Sequence, residues 1–306
     1  MGRYIARRLL QTIFVLWAVS FIAFIVMFLT GDPASAMAGE NWTREQVDEF
    51  RHIMGFDQPW YVQYWGFLSK ALQGDLGVSL RQRQPNLQLV FDRMPATLEL
   101  ALTAMLISIV VALPAGIISA TKRNSWFDNV AMLGAMLGQS MPAFWLGVML
   151  ILIFGVTLHW TPIAGRGSLN HLILPAITLS AYPTARNARV MRSSLLEVLG
   201  LAYVTTARAK GLKEHAVLIR HAVRNALIPL VTLIGLEFGA LLGGAVITET
   251  IFAWPGVGRM TIQAIQGRDI PLVQASVIVL ATFFVLINLI VDIIYTVLDP
   301  RIRLSE

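Results

Sequence analysis

Apolar residues run for about twenty positions at five places in this chain, the length a helix needs to cross a bilayer: Leu9 to Leu29, Leu98 to Ala120, Val130 to Val156, Leu227 to Phe252 and Leu272 to Leu298. A sixth, weaker stretch covers about His171 to Met191 and is interrupted by Pro175, Pro183, Arg186 and Arg189. Between the fourth and fifth crossings of a six-span reading lies a basic segment of different character. Leu201 to Lys210 is bracketed by Gly200 and Gly211, holds good or neutral helix formers and ends on Arg208 and Lys210, where the helix dipole favours cations. Gly211 can then take the left-handed stop conformation, and a second helix runs from Leu212 toward Pro229. At about 1.5 Å per residue the first piece is roughly 15 Å long, too short to span a bilayer. A solvated basic loop has the same charge and length, so those two features do not separate a docking element from a bland connection.

Composition agrees with the pattern. Of 306 residues, 56% are hydrophobic and 14% charged, with a mean hydropathy of +0.65, which marks an all-α integral membrane protein rather than a soluble domain. The net charge of +6 comes from basic residues that flank apolar spans and do not interleave with aromatics, which argues against nucleic acid as a partner. Membrane lipid is the expected surroundings. With six spans and both termini inside, fifteen of the twenty-four Lys and Arg fall inside and nine outside. With five spans the charge of the hairpin moves outside, against the positive-inside rule.

The first span has a rival. Met1 to Arg8 is a basic leader and Ala34-Ser35-Ala36 resembles a signal-peptidase site, yet the intervening apolar stretch is longer than the usual roughly 7 to 15 residues of a signal core. A retained span is the expectation, with cleavage near Met37 the alternative. The segment 31–96 is the expected extracytoplasmic helical subdomain. In it Thr43 to Met54 reads as a capped amphipathic helix stopped by Gly55, and Tyr61, Tyr64, Trp65 and Phe67 share a face. Residues 1–30 are then the N-terminus and first span, and 97–306 the core with the other five. The chain has no cysteine to brace any of this.

Several polar residues fall within the spans, where they must pair or face a cavity. Gln139, Ser140, Glu237, Gly239, Gly243, Asn288 and Asp292 are the candidates for a pore or a subunit interface. Glu237 stands among glycines that permit close helix approach, and both cavity lining and pairing with a second subunit remain open for it. Asn288 and Asp292, four apart, read as a packing pair or a substrate contact. Glu99 and Glu249 fit structural roles near a membrane boundary.

The chain carries no phosphate-binding G-x-x-x-x-G-K-[ST] run. Its five histidines lack metal-ligand spacing, and no serine sits in a nucleophile elbow, so neither a metal site nor catalytic residues are expected. A proton-coupled secondary transporter using Glu99, Glu237 and Asp292 is the alternative of a different class. It has no need of the basic hairpin, and the halves show no matched broken helices.

In order along the chain stand Gly31-Asp32-Pro33-Ala34, Gly55-Phe56-Asp57-Gln58-Pro59, Gly74-Asp75-Leu76-Gly77-Val78-Ser79, Arg93-Met94-Pro95-Ala96-Thr97-Leu98-Glu99-Leu100 and Ser140-Met141-Pro142-Ala143-Phe144-Trp145-Leu146. They are followed by Thr206-Ala207-Arg208-Ala209-Lys210-Gly211-Leu212, Phe252-Ala253-Trp254-Pro255-Gly256-Val257-Gly258 and Asp299-Pro300-Arg301. Together they resemble the B-type membrane subunit of the dipeptide, oligopeptide and nickel importers of the ATP-binding-cassette (ABC) class. The resemblance implies a type I importer permease of the bacterial inner membrane. It also implies a cytoplasmic coupling helix within about 201–212, whose candidate contacts are Tyr203, Thr205, Thr206, Ala207, Arg208, Lys210, Gly211 and Leu212. Thr205-Thr206-Ala207 replaces the Glu-Ala-Ala of the broader importer pattern, and the separation from Gly211 to Pro229 is longer than that pattern's. Implied partners are a homologous second permease subunit, two ATPase subunits that bind ATP and Mg, and an extracytoplasmic solute-binding protein; no cofactor is implied on this chain. Small peptides are the first expectation for cargo, with nickel, opines and glutathione as alternatives.

Overall fold

The computed structural model describes residues 2–29, 34, 35 and 42–298; the strings at 31–33 and 299–301 and the basic Arg301 and Arg303 lie outside them. Eleven helices are used below: α1 (Gly2–Leu29), α2 (Arg44–Met54), α3 (Trp60–Leu72), α4 (Asn86–Thr121), α5 (Trp126–Ser140), α6 (Ala143–Thr157), α7 (Leu169–Leu199), α8 (Ala202–Ala209), α9 (Glu214–Ile251), α10 (Val257–Gln266) and α11 (Ile270–Leu298). The helices α1, α4, α9 and α11 are long and apolar enough to cross a membrane, and α5 with α6 makes a fifth crossing if the bent pair is one span. Many of their large apolar side chains stay outside the chain's own core, among them Leu10, Ile13 and Phe14 of α1, each more than 60% exposed. That exposure suits a lipid surround.

The chain divides into two compact units, Met1–Thr97 with Pro255–Leu289, and Leu98–Trp254 with Ile290–Glu306. In the first, α2 starts on a capping box in which Thr43 Oγ1 accepts from the Gln46 amide and the Gln46 side chain accepts from the Thr43 amide. It ends on Gly55 at φ 72°. Beyond it, the His52 ring bonds the Asp57 carboxylate at 2.6 Å, which holds Asp57 below the usual carboxylate range. Edge-to-face contacts of Tyr64 with Phe21 and Phe24, and a 3.0 Å bond between Ser20 Oγ and Tyr64 Oη, seat α3 on α1. The expected aromatic face is therefore a packing face at Tyr64, while Tyr61 and Trp65 stay exposed.

Asp269 is the fixed point of this unit. Its buried carboxylate accepts from the Ser79 hydroxyl, from the amides of Leu80 and Arg81 at 3.2 and 3.4 Å, and from the Leu272 amide at the start of α11. Arg81 Nε adds a 2.9 Å bond to the Gly267 carbonyl. The loop carrying Gly77-Val78-Ser79 is thus tied to the turn between α10 and α11.

In the second unit α7 is the spine. It starts on Ser168, capped reciprocally with His171, and continues to Leu199, well past the weak apolar stretch that predicted it. Pro175 and Pro183 lie inside it, and Thr178 and Ser180 return their hydroxyls to the carbonyls of Leu174 and Ile177. Gly116 lets α4 approach this spine: a Cβ there would stand 2.6 Å from Met191 Cβ and 2.7 Å from the Ala188 carbonyl oxygen. Asp128, buried at the start of α5, receives both arms of the Arg192 guanidinium at 2.6 and 2.8 Å and the Asn124 amide at 2.9 Å. The pair locks α5 to α7.

Two expectations change. The apolar run Val130 to Val156 is not one straight helix: α5 and α6 meet at 107°. Met141 is extended at φ −77°, ψ 127°, because Pro142 disfavours helical backbone before it and has no amide to continue the ladder. The second helix of the basic hairpin does not end at Pro229 either. It starts at Glu214, passes through a π-helical stretch at Val217–Val223 and runs on as α9 with Pro229 inside. The wider π turn re-sets the helical register before the span begins.

Asp128→Ala strands the Arg192 guanidinium beside a buried site, at an expected cost of about 3 kcal/mol; the melting temperature of the purified protein should drop, and Asp128→Asn with Arg192→Met should recover most of it. Asp269→Ala leaves several buried donors without an acceptor, at about 1–3 kcal/mol. Hydrogen exchange at Leu80 and Arg81 should rise while α3 stays protected.

Candidate functional site

The basic knuckle is built on α8. After the extended Leu201, Ala202–Ala209 forms two turns, and Lys210 and Gly211 end them, with Gly211 at φ 78°. Nothing lies within 4 Å of where a Gly211 Cβ would stand, so the glycine is required by backbone conformation and not by crowding. Across it the Arg208 guanidinium forks onto Glu214, with Nε and Nη2 donating at 3.0 and 2.7 Å. This closes the turn between α8 and α9. The other brace is Tyr203, whose hydroxyl donates to the His221 carbonyl at 3.3 Å and accepts from Asn225 Nδ2 at 2.7 Å.

One face of α8 belongs to the fold. Val204 and Ala207 are buried in a cluster with Met191, Leu195, Val217, Ala222 and Val223. The opposite face presents Tyr203, Thr205, Thr206, Arg208 and Lys210, and Gly211 and Leu212 are exposed beyond its end. Of the eight residues expected in coupling, Ala207 alone is turned inward. Leu212, 44% exposed, and Tyr203, 39% exposed, give this surface an apolar component beside its charge.

Glu237 is buried in the second unit. Asn187 Nδ2 donates to Glu237 Oε2 at 2.9 Å and to Ser108 Oγ at 3.1 Å, so one amide joins α4, α7 and α9. Arg186 Nη1 approaches Glu237 Oε1 at 3.8 Å. That approach is longer than a hydrogen bond, and the buried Oε1 accepts none among the described residues. Gly239 is buried, whereas Gly243 has open space where a side chain would be. Gln139 and Ser140 lie at the end of α5, beside the bend, and line an open cleft with Met132, Met136, Arg189 and Arg192. Asn288 returns its amide to the Phe284 carbonyl at 2.9 Å, and Asp292 is half-buried on the same helix. Glu99, expected to be structural, bonds Arg166 at 2.9 Å, and Arg166 also lies over the Trp254 ring at 5.8 Å.

Sequence reasoning missed Asp128 and Asp269. Asp128 was signalled by Ser125 three residues before it, a helix-start pattern that the structure realises with Ser125 Oγ accepting from the Asp128 amide. Asp269 and Ser79 are 190 residues apart, and no local pattern joins them.

Residues 112–304 match the family described as the binding-protein-dependent transport system inner membrane component, and residues 1–101 match the N-terminal region of such membrane components. The chain is 43% identical over 304 residues to the glutathione transport system permease protein GsiC of Escherichia coli, covering 99% of each chain. It is 41% identical over 329 residues to the dipeptide transport system permease protein DppB of Alkalihalophilus pseudofirmus, covering 98% of this chain and 99% of that one. In fold it is similar to the inward-facing MetNI methionine ABC transporter, with a TM-score of 0.60 and 20% identity over 69% of this chain and 97% of that chain. An amino acid ABC transporter structure matches with a TM-score of 0.54 and 16% identity over 70% and 94%. Its apolar helices, type I importer fold and near end-to-end family match make this chain a multi-pass membrane protein that belongs to the inner-membrane components of binding-protein-dependent transport systems.

Proposed function

We propose that this chain is one of two homologous permease subunits of an ATP-driven importer for small peptides, and that α8 with Gly211 is its coupling element for two ATPase subunits. Those partners bind ATP and Mg and supply the energy; an extracytoplasmic solute-binding protein delivers the cargo. The chain itself binds no cofactor. In this reading α7 is the sixth crossing, both termini face the cytoplasm, and the basic knuckle lies on the inner side.

The observation that carries the proposal is the two-faced build of α8. Its inner face is packed into the same cluster as α7 and the start of α9, and its outer face is exposed and mixed in chemistry. An element fixed on one side and open on the other passes a push from a docked partner to the helices behind it, because packed elements move as units. Peptides as cargo are supported by the relatives: one is named for glutathione and one for dipeptides, both small amide-linked molecules with free carboxylates.

Uptake by the reconstituted importer tests this reading. Accumulation of alanylalanine in vesicles should require ATP and the ATPase subunits; accumulation driven by a pH gradient alone would instead make the chain a secondary transporter. Gly211→Val forces a β-branched residue to positive φ at a cost of about 1–2 kcal/mol. The variant should insert normally, yet show ATP hydrolysis no longer linked to uptake, whereas Gly211→Asn, which tolerates that backbone, should retain transport. Wild-type transport by Gly211→Val would remove the knuckle from the mechanism.

A further inference from the structure

Three arginines descend α7 at intervals of three: Arg186, Arg189 and Arg192. Each step drifts about 60° around the helix, so the three share one broad flank. The outer two each stand near a carboxylate. Arg192 is forked onto Asp128, and Arg186 lies 3.8 Å from Glu237 Oε1. Arg189 between them is exposed and has no hydrogen-bond or ion-pair partner among the described residues.

The cleft beside Arg189 has a volume of about 510 Å³, within the range of small-molecule sites. Its lining pairs two arginines with no acidic residue, adds Gln139 and Ser140, and is completed by Met132 and Met136 on successive turns of α5. A guanidinium without a counter-charge selects for a carboxylate, which it can hold through two parallel hydrogen bonds. Gln139 and Ser140 supply further donors and acceptors. Met132 and Met136 are flexible and polarisable, so they fit apolar groups of different size. A charged anchor beside an adaptable wall suits a family of ligands that share a carboxylate and differ in side chain.

We propose that Arg189, with Gln139 and Ser140, forms a transit site for the free carboxylate of a peptide cargo, and that Met132 and Met136 accommodate the adjoining side chain. The site deepens the importer reading and rests on it. It lies ten residues before the end of α7, roughly 15 Å of helix from Leu199, beside the bend where α5 gives way to α6. Arg192 holds the cleft wall through Asp128 and stays out of the contact.

The absence of cysteine makes a direct test possible, because Met136→Cys gives the chain a single thiol. The assembled importer carrying M136C, with its partner subunits made cysteine-free, is reconstituted in phosphatidylcholine nanodiscs and labelled with a maleimide. Alanylalanine at about ten times its dissociation constant should slow labelling about tenfold, because labelling follows the unoccupied fraction, and alanylalanine amide at the same concentration, weakened about tenfold or more by loss of the charge-assisted contact, should slow it about twofold or less. Adding Arg189→Gln should abolish the protection, and Arg189→Lys should keep part of it. Equal protection by acid and amide, protection that survives Arg189→Gln, or none from either peptide overturns the site. So does protection conferred by phosphatidylglycerol with no further effect of the dipeptide, since the cleft is then a lipid site. The acid and amide comparison in M136C alone remains decisive if Arg189→Gln fails to assemble. ATP-driven uptake is scored separately in the importer with native Met136: its absence there sinks the importer reading, whereas uptake there without protection in M136C sinks only this site.

Discussion

A charge carried on a helix in an apolar layer must find its complement inside the protein, because the surrounding lipid offers no hydrogen bonds. The core of the second unit is arranged by that constraint. At the edge of the apolar runs, Asp128 is buried at the first turn of α5 and sets where α5 lies on α7, since the two arms of Arg192 fix both distance and orientation. Asn187 performs the equivalent task with hydrogen bonds, using its two amide protons to join Ser108 and Glu237 on separate helices. Both nodes sit on α7, the least apolar of the long helices. Its polarity helps make it the spine: the polar contacts fix distances and orientations that add to the shape-specific apolar packing.

The backbone obeys the same rule. Pro142 withdraws an amide and bends the chain, and the bend is accepted because Met141 keeps a bond from its own amide to the Leu137 carbonyl. Pro229 stays inside a continuous helix, preceded by a π turn, and Thr232 returns its hydroxyl to the Ile228 carbonyl. Two prolines in apolar segments thus have opposite outcomes. Pro175 and Pro183 also stay inside a helix, so proline by itself does not decide the outcome.

That contrast marks how far the sequence could be read. Apolar runs located α1, α4, α9 and α11, and the Thr43 and Gly55 punctuation located α2, because both signals are local. The stop at Gly211 was legible for the same reason: left-handed backbone at a helix end is a property of one residue and its neighbours. The 107° bend and the continuity through Pro229 were not legible, because a proline in an apolar run is compatible with either outcome. Among site residues, Glu237 was visible as a charge in an apolar run, but its partner Asn187 lies 50 positions away and Ser108 a further 79 from Asn187. The link from Ser79 to Asp269 is longer still.

The arginines of α7 show why counting charge differs from reading chemistry. As topology, Arg186, Arg189 and Arg192 contribute equally to the positive-inside balance. In the fold they are unequal: Arg192 is consumed by Asp128, Arg186 leans toward Glu237, and Arg189 faces a cleft with no acid in its lining. A cation needed only for orientation could sit at the end of the helix, beyond Leu199, where water solvates it. One placed ten residues before that end, next to methionines and a bend, stands where topology does not require it. Its guanidinium is the one of the three left to meet a carboxylate from outside the described chain, which is the chemistry the proposed transit site uses.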